Sequence, residues 1–314
     1  MHITIESKAK PCPGVLRALA MAEDTLRRGE KLVAVGELIH NSREIKRLKD
    51  LGLQMISEEA FLDNKTEIDV TTTRFLVRAH GEAESLIHSA KERGMKIDDA
   101  TCPIVHHSHD LILTHVHEGW GIILVGKKDH AEVRGLIPVM ENRGTVISSI
   151  EEAQAFQGKD KSLLLAQTTI SPKLFHDIGK ILSHKMPDLK IVDTTCRFIR
   201  TRQTDIQAFA EEQDVVLVLG GKKSSNCKLL YETAKEVNAQ TYRIESAGDV
   251  DWIWFNNGVK VGITGGASTP KWQLEELRSI LENHTVTENN PEGLKYRKGG
   301  TFLCRMFKKT QRKK

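Results

Sequence analysis

Short apolar runs alternate with amphipathic stretches along almost the whole 314-residue chain. The runs are nearly continuous in Val, Ile and Leu, a pattern typical of parallel strands that are covered on both faces. They are LVAVG (32–36), FLVRA (75–79), GIILVG (121–126), SLLLAQ (162–167), DVVLVLGG (214–221) and KVGITGG (260–266). Helical spacing predicts helices between them at 15–28, 82–94, 171–185, 199–212 and 270–282. The alternation predicts an α/β fold built from parallel sheets.

A weak internal repeat predicts how the chain is divided. KIDDATC (96–102) and KIVDTTC (190–196) share five residues, and Cys12 precedes Cys102 by a similar interval. We therefore predict three similar α/β units, each starting at a cysteine and arranged around a common centre. The expected divisions are an N-terminal strand with the first cysteine (1–13), three units (14–102, 103–192 and 193–284) and a C-terminal segment with a basic tail (285–314).

Charge and hydropathy narrow the possible partners. The formal net charge is only +4, and six of the last ten residues are basic. A solvated chain end is the simpler interpretation of this tail, and a weak contact with nucleic acid or an acidic protein is the alternative. We do not expect nucleic acid as a partner. The sequence has no apolar run near the ~18–20 residues that span a bilayer and no apolar N-terminal segment, so we expect a cytoplasmic protein with no membrane partner.

The five cysteines are odd in number and far apart, which argues against a disulfide framework in a reducing compartment. Cys12, Cys102 and Cys196 fall where the predicted units begin, so their thiolates would converge if the units meet around an axis. Three thiolates without a fourth ligand suit a 4Fe–4S cluster with one open iron, or a 3Fe–4S cluster. A structural zinc site would need a fourth ligand. Three unrelated buried cysteines remain the alternative.

Three histidines follow predicted strands in polar turns. His40 follows GELI, His80 follows FLVRA, and His130 follows GIILVGKKD. A single histidine in such a turn is usually a surface or capping residue. Three in equivalent places suggest a shared pocket, in which imidazoles can donate to phosphate oxygens or move protons.

Two clusters of small polar residues also follow strands and precede helices. They are Ser224-Ser225-Asn226 and Gly265-Gly266-Ala267-Ser268. Backbone N–H groups at helix starts, together with Ser and Asn side chains, can hold an anion. Simple N-capping would use the same residues. Two such clusters after adjacent strands favour a phosphate or diphosphate site.

Glu132 is the best candidate for an acid in this set. It lies two residues after His130 in the segment HAEVRG, just past a strand end. Thr168 and Thr169 follow the strand SLLLAQ and could hold a hydroxyl group or a water molecule beside it. An isolated glutamate in a turn is usually solvated, so this assignment depends on the polar residues predicted to lie beside Glu132.

Together these motifs resemble the 4-hydroxy-3-methylbut-2-enyl diphosphate reductase (LytB/IspH) family over roughly residues 1–282. The motifs are CPGVLRA (12–18), ELIHN (37–41), AHG (79–81), DATCP (99–103), HAEVRG (130–135), QTT (167–169), TTC…RQ (194–203), SSN (224–226) and GGAS (265–268). The resemblance implies three α/β units around a 4Fe–4S cluster held by Cys12, Cys102 and Cys196. It also implies a diphosphate site made of His40, His80, His130, Ser224, Ser225, Asn226 and Ser268.

The resemblance further implies a reaction. Glu132 would be the proton donor and Thr168 would lie beside the substrate hydroxyl. Reductive dehydroxylation would then give isopentenyl and dimethylallyl diphosphate in the non-mevalonate isoprenoid pathway, with electrons from a donor such as ferredoxin or flavodoxin. Phe198 and Ile199 stand where the family has Ala and Thr. The alternatives are therefore a divergent paralogue that reduces another small phosphorylated substrate, or a non-catalytic iron–sulfur sensor. Retention of Glu132 favours an enzyme.

Overall fold

The computed structural model describes residues 1–63, 68–158, 161–256 and 258–288. The basic tail and Cys304 lie outside these ranges. No helix within the described ranges is long and apolar enough to cross a membrane.

Strands and helices alternate through the described ranges. The strands are β1 (His2–Ile5), β2 (Lys31–Val35), β3 (Leu53–Ile56), β4 (Thr73–Val77), β5 (Ile97–Asp99), β6 (Gly121–Val125), β7 (Gly144–Ile147), β8 (Lys161–Ala166), β9 (Asp188–Ile191), β10 (Val215–Leu219), β11 (Thr241–Ile244) and β12 (Lys260–Gly265). The helices are α1 (Pro13–Arg27), α2 (Ser42–Asp50), α3 (Glu58–Leu62), α4 (Glu84–Glu92), α5 (Pro103–His117), α6 (Ala131–Leu136), α7 (Ile150–Ala155), α8 (Pro172–Lys185), α9 (Arg197–Glu211), α10 (Ser225–Val237) and α11 (Lys271–Glu288). The apolar runs correspond to β2, β4, β6, β8, β10 and β12, and the predicted helices to α1, α4, α8, α9 and α11.

The strands of the described ranges form three separate four-stranded sheets, and every pairing is parallel. Their orders are β3-β2-β4-β5, β7-β6-β8-β9 and β11-β10-β12-β1. The order is the same in all three sheets, except that the last position of the third sheet is filled by the N-terminal strand. There Ile3 lies opposite Val261. The predicted α/β class with three parallel-sheet units is confirmed, and the chain closes on itself through β1.

Each sheet is covered on both faces, which explains the continuous apolar runs. In β6, Ile122 and Leu124 join the core formed with α5, whereas Ile123 and Val125 join the core formed with α8. The helix that follows each cysteine packs on the next sheet along the chain. The contacting helix and strand residues are Ala18 and Ala22 with Leu32 and Ala34, Ile112 and Val116 with Ile122 and Leu124, and Ile206 and Ala210 with Val216 and Val218.

We propose that the unit boundaries are those expected from the repeat. Residues 14–102 contain β2 to β5, residues 103–192 contain β6 to β9, and residues 193–284 contain β10 to β12. Residues 1–13 contribute the strand that completes the third sheet.

The cysteines occupy equivalent places at the junctions between sheets. Cys12, Cys102 and Cys196 follow β1, β5 and β9, and each is the N-cap residue of the next helix. Pro13 and Pro103 occupy the first helical turn, where the fixed φ of proline suits a helix start.

The heptapeptide repeat corresponds to a shared turn. The backbone N–H of Thr101 donates to Asp99 Oδ1 at 2.8 Å, and that of Thr195 donates to Asp193 Oδ1 at 2.9 Å. An aspartate that accepts from the backbone two residues later closes a compact turn. This turn directs the chain from the strand end into the cysteine.

A buried ion pair links the first and third of these junctions. Arg202 on α9 makes a two-bond ion pair with Glu6, with one bond from Nη2 to Oε2 at 2.7 Å, and Nη2 also donates to Thr264 Oγ1 at 3.1 Å. Both charged side chains are 4% exposed. Glu6 follows β1 and precedes Cys12, whereas Arg202 lies on the helix that Cys196 caps. The pair therefore fixes the segments that carry these two cysteines relative to each other.

We expect Arg202→Met to lower the free energy of unfolding by ~3–5 kcal/mol, because it leaves the Glu6 carboxylate buried without a charged partner, with the Thr264 hydroxyl still donating to it. The double variant Glu6→Leu/Arg202→Met should regain part of that loss. Urea unfolding of the metal-free protein measures both. Arg278→Met, which removes an exposed pair with Glu282, is the matched control and should cost less than about 1 kcal/mol. Equal losses in Arg202→Met and Arg278→Met would contradict the prediction.

Candidate functional site

One cleft lies where the three sheets meet. In each sheet, the loops after the two central strands and after one edge strand (β5, β9 or β1) contribute to its lining, as expected for the carboxyl ends of parallel strands. The cleft brings together every site residue that was predicted from the sequence: Cys12, His40, His80, Cys102, His130, Glu132, Thr168, Cys196, Ser224, Ser225, Asn226 and Ser268.

The cysteine backbones are held by three equivalent hydrogen bonds. Each cysteine follows an edge strand, and its N–H donates to a carbonyl oxygen in the loop after the neighbouring strand of that sheet. The acceptors for Cys12, Cys102 and Cys196 are Ala267, Ala79 and Thr168, at 3.0, 3.0 and 2.8 Å. The thiols are thereby directed into one cleft, which favours a shared role over three unrelated buried cysteines.

The space between the thiols suits a group larger than a single ion. A Cβ atom at Gly14 would lie 3.0 Å from Cys102 Sγ and 3.9 Å from Cys12 Sγ, so glycine keeps this space open. Among the described residues, no three His, Cys, Asp or Glu side chains are close enough to hold one metal ion. An iron–sulfur cluster spaces its ligands more widely, and thiolate sulfur is its usual ligand. The three thiols of this cleft therefore fit a cluster by their donor chemistry.

Burial controls the protonation of the Cys12 and Cys196 thiols. It raises the pKa of Cys12 to about 11 and also raises the pKa of Cys196. The neighbouring thiols raise the pKa of Cys12 further. Without a compensating cation these thiols stay protonated near neutral pH, whereas a bound metal deprotonates its thiol ligands.

His40, His80 and His130 form a compact triangle. Their ring centroids are 5.1 Å (His40–His80), 5.7 Å (His40–His130) and 5.7 Å (His80–His130) apart. Within the described part of the chain, both ring nitrogens of His40 and Nδ1 of His80 are buried without a hydrogen-bond partner. The Glu37 carboxylate lies 3.6 Å from His40 Nδ1. Unpartnered ring nitrogens in a buried cleft point to a polar ligand.

The triangle is uncharged near neutral pH in the free protein. Burial is the main cause: it lowers the pKa of His130 to about 4, and it lowers the pKa of His40 and, further, of His80. The other imidazoles of the triangle lower the pKa of His80 and His130 further. An anion placed among the rings would favour their protonated forms.

The Ser224-Ser225-Asn226 cluster combines capping with a free donor. Ser224 caps α10 by accepting from the backbone N–H of Cys227 at 3.2 Å, so the capping interpretation is right for this residue. Asn226 Oδ1 accepts from the backbone N–H of Ala267 at 2.5 Å. That bond fixes the amide and leaves the buried Nδ2 without a partner in the described structure. Ser268 Oγ donates to the His40 carbonyl at 3.3 Å, which joins this side of the cleft to the histidines.

Glu132 is 1% exposed and is held by one residue. Thr168 donates to both of its carboxyl oxygens, from the backbone N–H at 2.7 Å and from Oγ1 at 2.6 Å. Burial raises the pKa of Glu132 to about 7, although these two hydrogen bonds oppose the increase. A carboxyl group with this pKa can both hold and release a proton near neutral pH.

Sequence analysis missed most of the apolar wall of the cleft. Val15, Val105 and Ile199 line it, and each lies three residues after a cysteine, one helical turn into α1, α5 or α9. Ile39 and Ile104 complete this wall. The Cys-x-x-apolar spacing is the signal that could have identified the first three.

We expect acid to destabilise the metal-free protein through the histidine triangle. The folded-state pKa of His130 is about 4, below the usual ~6.5, so the unfolded chain binds more protons between these values. The free energy of unfolding therefore falls as the pH drops through that window, by roughly 3 kcal/mol at most for His130. Urea unfolding across the window should show a shallower pH dependence for His130→Gln. An unchanged slope would show that this imidazole is not held neutral.

Comparisons with known proteins agree with this geometry. The LytB protein family matches residues 3–282. A 4-hydroxy-3-methylbut-2-enyl diphosphate reductase of Aquifex aeolicus (strain VF5) is 33% identical over 286 residues, covering 90% of this chain and 96% of that protein. The same-named protein of Clostridioides difficile (strain 630) is 34% identical, covering 90% of this chain and all of that protein.

Solved structures show the same relationship. A structure of (E)-4-hydroxy-3-methyl-but-2-enyl diphosphate reductase, described as the terminal enzyme of the non-mevalonate pathway, is 32% identical with a TM-score of 0.66, covering 90% of this chain and 100% of that one. A reductase structure from Plasmodium falciparum, 24% identical with a TM-score of 0.80, covers 90% of this chain and 88% of that one and shares the fold. With the family match over most of its length, the chain belongs to the LytB protein family.

Proposed function

We propose that this protein is a 4-hydroxy-3-methylbut-2-enyl diphosphate reductase. It would convert that substrate into isopentenyl and dimethylallyl diphosphate by reductive dehydroxylation. The observation that carries the proposal is the shared cleft, which holds three thiols, unpartnered donors for an anion and a buried carboxyl group. A sensor would need only the thiols, so the other two features support an enzyme.

Cys12, Cys102 and Cys196 would hold one 4Fe–4S cluster. When bound, the cluster supplies electrons and an open iron site for the substrate oxygen. The open space beside Gly14 and the donor chemistry of three thiols support this assignment.

The other polar side chains would hold the diphosphate. His40, His80, Asn226, Ser225 and Ser268 surround the same side of the cleft, and the free nitrogens on three of them are matched donors for phosphate oxygens. Diphosphate binding would satisfy these buried groups, whose desolvation otherwise costs stability. His130 and Ser224 would complete the anion site, Ser224 by fixing the start of α10.

Glu132 would supply a proton as the hydroxyl group leaves as water. The reaction consumes two electrons and two protons for each water released. Thr168 holds the carboxyl group in one orientation and would contact the substrate hydroxyl through its own Oγ1. The apolar wall formed by Val15, Val105 and Ile199 would exclude bulk water from the hydrocarbon part of the substrate.

The two electrons must come from an external donor. We propose that a small electron carrier such as ferredoxin or flavodoxin supplies them. We also propose that this protein acts in the cytoplasm. A non-catalytic sensor would not turn over and would need no such electron supply.

The cysteine assignment predicts which variants lose the cluster. Anaerobically purified protein should contain about four irons and four sulfides per chain, and Cys12→Ser, Cys102→Ser and Cys196→Ser should each lose them, because a serine oxygen is a poor ligand for iron–sulfur centres. Iron and sulfide analysis with visible absorption measures this. Cys227→Ser is the matched control, since Cys227 is a free, buried cysteine that lies outside the cleft lining, and it should retain the cluster. We expect the same of Cys304→Ser. Loss of the cluster in either control would overturn the three-ligand assignment.

The Glu132 assignment predicts a chemical defect without a binding defect. Glu132→Gln keeps the shape of the side chain but removes its acidic proton, so turnover should fall at least about a hundredfold. Cluster content and pyrophosphate affinity, measured in the same sample, should stay near those of the parent protein. A variant that turns over at the parent rate would show that the proton comes from another group.

A further inference from the structure

Two loops at the cleft carry the same short basic sequence. Gly126-Lys127-Lys128 follows β6, and Gly221-Lys222-Lys223 follows β10. These strands occupy equivalent positions in the second and third sheets. All four lysines are exposed, and the segments that follow them provide His130 and the Ser224-Ser225-Asn226 cluster.

Hydrogen bonds hold the first loop close to the cleft. The backbone N–H of Lys127 donates to Gln167 Oε1 at 3.1 Å, and its carbonyl accepts from the N–H of His130 at 2.9 Å. Lys127 therefore lies within one turn of the histidine triangle.

The second loop is held against the chain segment that carries His40. A Cβ atom at Gly221 would lie 2.4 Å from the His40 carbonyl oxygen, so the two chain segments are in direct contact there. The N–H of Ser224 donates to the Gly221 carbonyl at 3.0 Å, which closes the turn that contains both lysines. Lys223 immediately precedes Ser224, the cap of α10.

Backbone contacts distinguish the two lysines of each pair. Lys127 is bonded to the loops that provide Gln167 and His130, and Lys223 directly precedes Ser224, which lines the cleft. The N–H of Lys222 instead donates at 3.4 Å to Oε1 of Glu245, which lies outside the lining. The pKa of Glu152, also outside the lining, is lowered mainly by hydrogen bonds from Ser148 and further by the charge of Lys128. We therefore take Lys127 and Lys223 as the cleft-side cations and Lys128 and Lys222 as the outer-side cations.

Among the charged groups near the histidine triangle, Lys127 and Lys223 are the strongest candidates for attracting an anion. Arg78 is ion-paired with Glu82, including a bond from Nη2 to Oε2 at 2.7 Å. Glu37 places a carboxylate beside His40 and opposes anion binding there. Lys127 and Lys223 would offset that repulsion.

The geometry points to Lys127 and Lys223 as a pair of capture residues at the mouth of the cleft, which attract a diphosphate group and guide it to the buried donors. This inference rests on the proposed diphosphate site and extends it to residues outside the buried lining. Exposed lysines add long-range attraction for a multiply charged anion, and salt screens this attraction because the Debye length is only about 10 Å at 0.1 M. A buried hydrogen bond would be far less sensitive to salt.

Pyrophosphate binding to the anaerobically purified, cluster-loaded protein tests the inference. Titration calorimetry at about 20 mM and about 500 mM NaCl compares Lys127→Gln and Lys223→Gln with the outer-side controls Lys128→Gln and Lys222→Gln. At low salt we expect the first two variants to raise the Kd about three- to tenfold, and the controls to change it less than about twofold. At high salt all four variants should approach the parent Kd.

The outcomes separate this inference from the proposed function. If the parent binds pyrophosphate and the cleft-side variants match their controls, the capture role is wrong and the diphosphate site stands. A defect in the cleft-side variants that persists unchanged at high salt would also overturn the capture role, since it would indicate a direct contact or an altered loop. If the parent itself does not bind pyrophosphate at low salt, the proposed diphosphate site is wrong.

Discussion

The direction of the strands is the constraint on which the whole cleft depends. All strands within a sheet run the same way, so the polar loops after them gather at one edge of each sheet, and three such edges meet at the cleft. Each cysteine then lies at a junction, following the last strand of one sheet and capping a helix that packs on the next. No single sheet contains a complete site.

The backbone around the cleft has nearly threefold symmetry, but the side chains that line the cleft differ between the sheets. Equivalent N–H to carbonyl bonds hold the three cysteines, which gives the cleft three sulfur groups in similar backbone settings. The loops after the two central strands of each sheet differ: the first two sheets supply His40, His80 and His130, whereas the third supplies hydroxyl and amide groups. This departure from symmetry adds imidazole, hydroxyl and amide groups to the three thiols in one cleft.

Much of this arrangement could be predicted from the sequence, for identifiable physical reasons. The central strands are apolar on both faces, so runs such as GIILVG were recognisable, and the aspartate turn before Cys102 and Cys196 left a repeat that marks two of the junctions. The unpredicted strands lie at sheet edges or are short and polar. In β9, for example, three of four residues are exposed. The pairing of β1 with β12 could not be predicted from the sequence, because it depends on a contact between the two ends of the fold. The roles of Val15, Val105 and Ile199 also required the folded cleft, since an apolar residue on a helix is usually part of an ordinary core.

The position of β1 has a consequence for the order in which the molecule can be made. Cys12 leaves the ribosome long before residues 260–265, but among the described strands the one that precedes it pairs with β12. Until residues 260–265 have been synthesised, the third sheet lacks a place for β1, and Cys12 cannot join Cys102 and Cys196. Because chains fold in part as they emerge, the first two sheets can form before β1 finds its partner. The three thiols therefore come together only after β12 has been made, so no shorter nascent chain presents all three of them in one cleft.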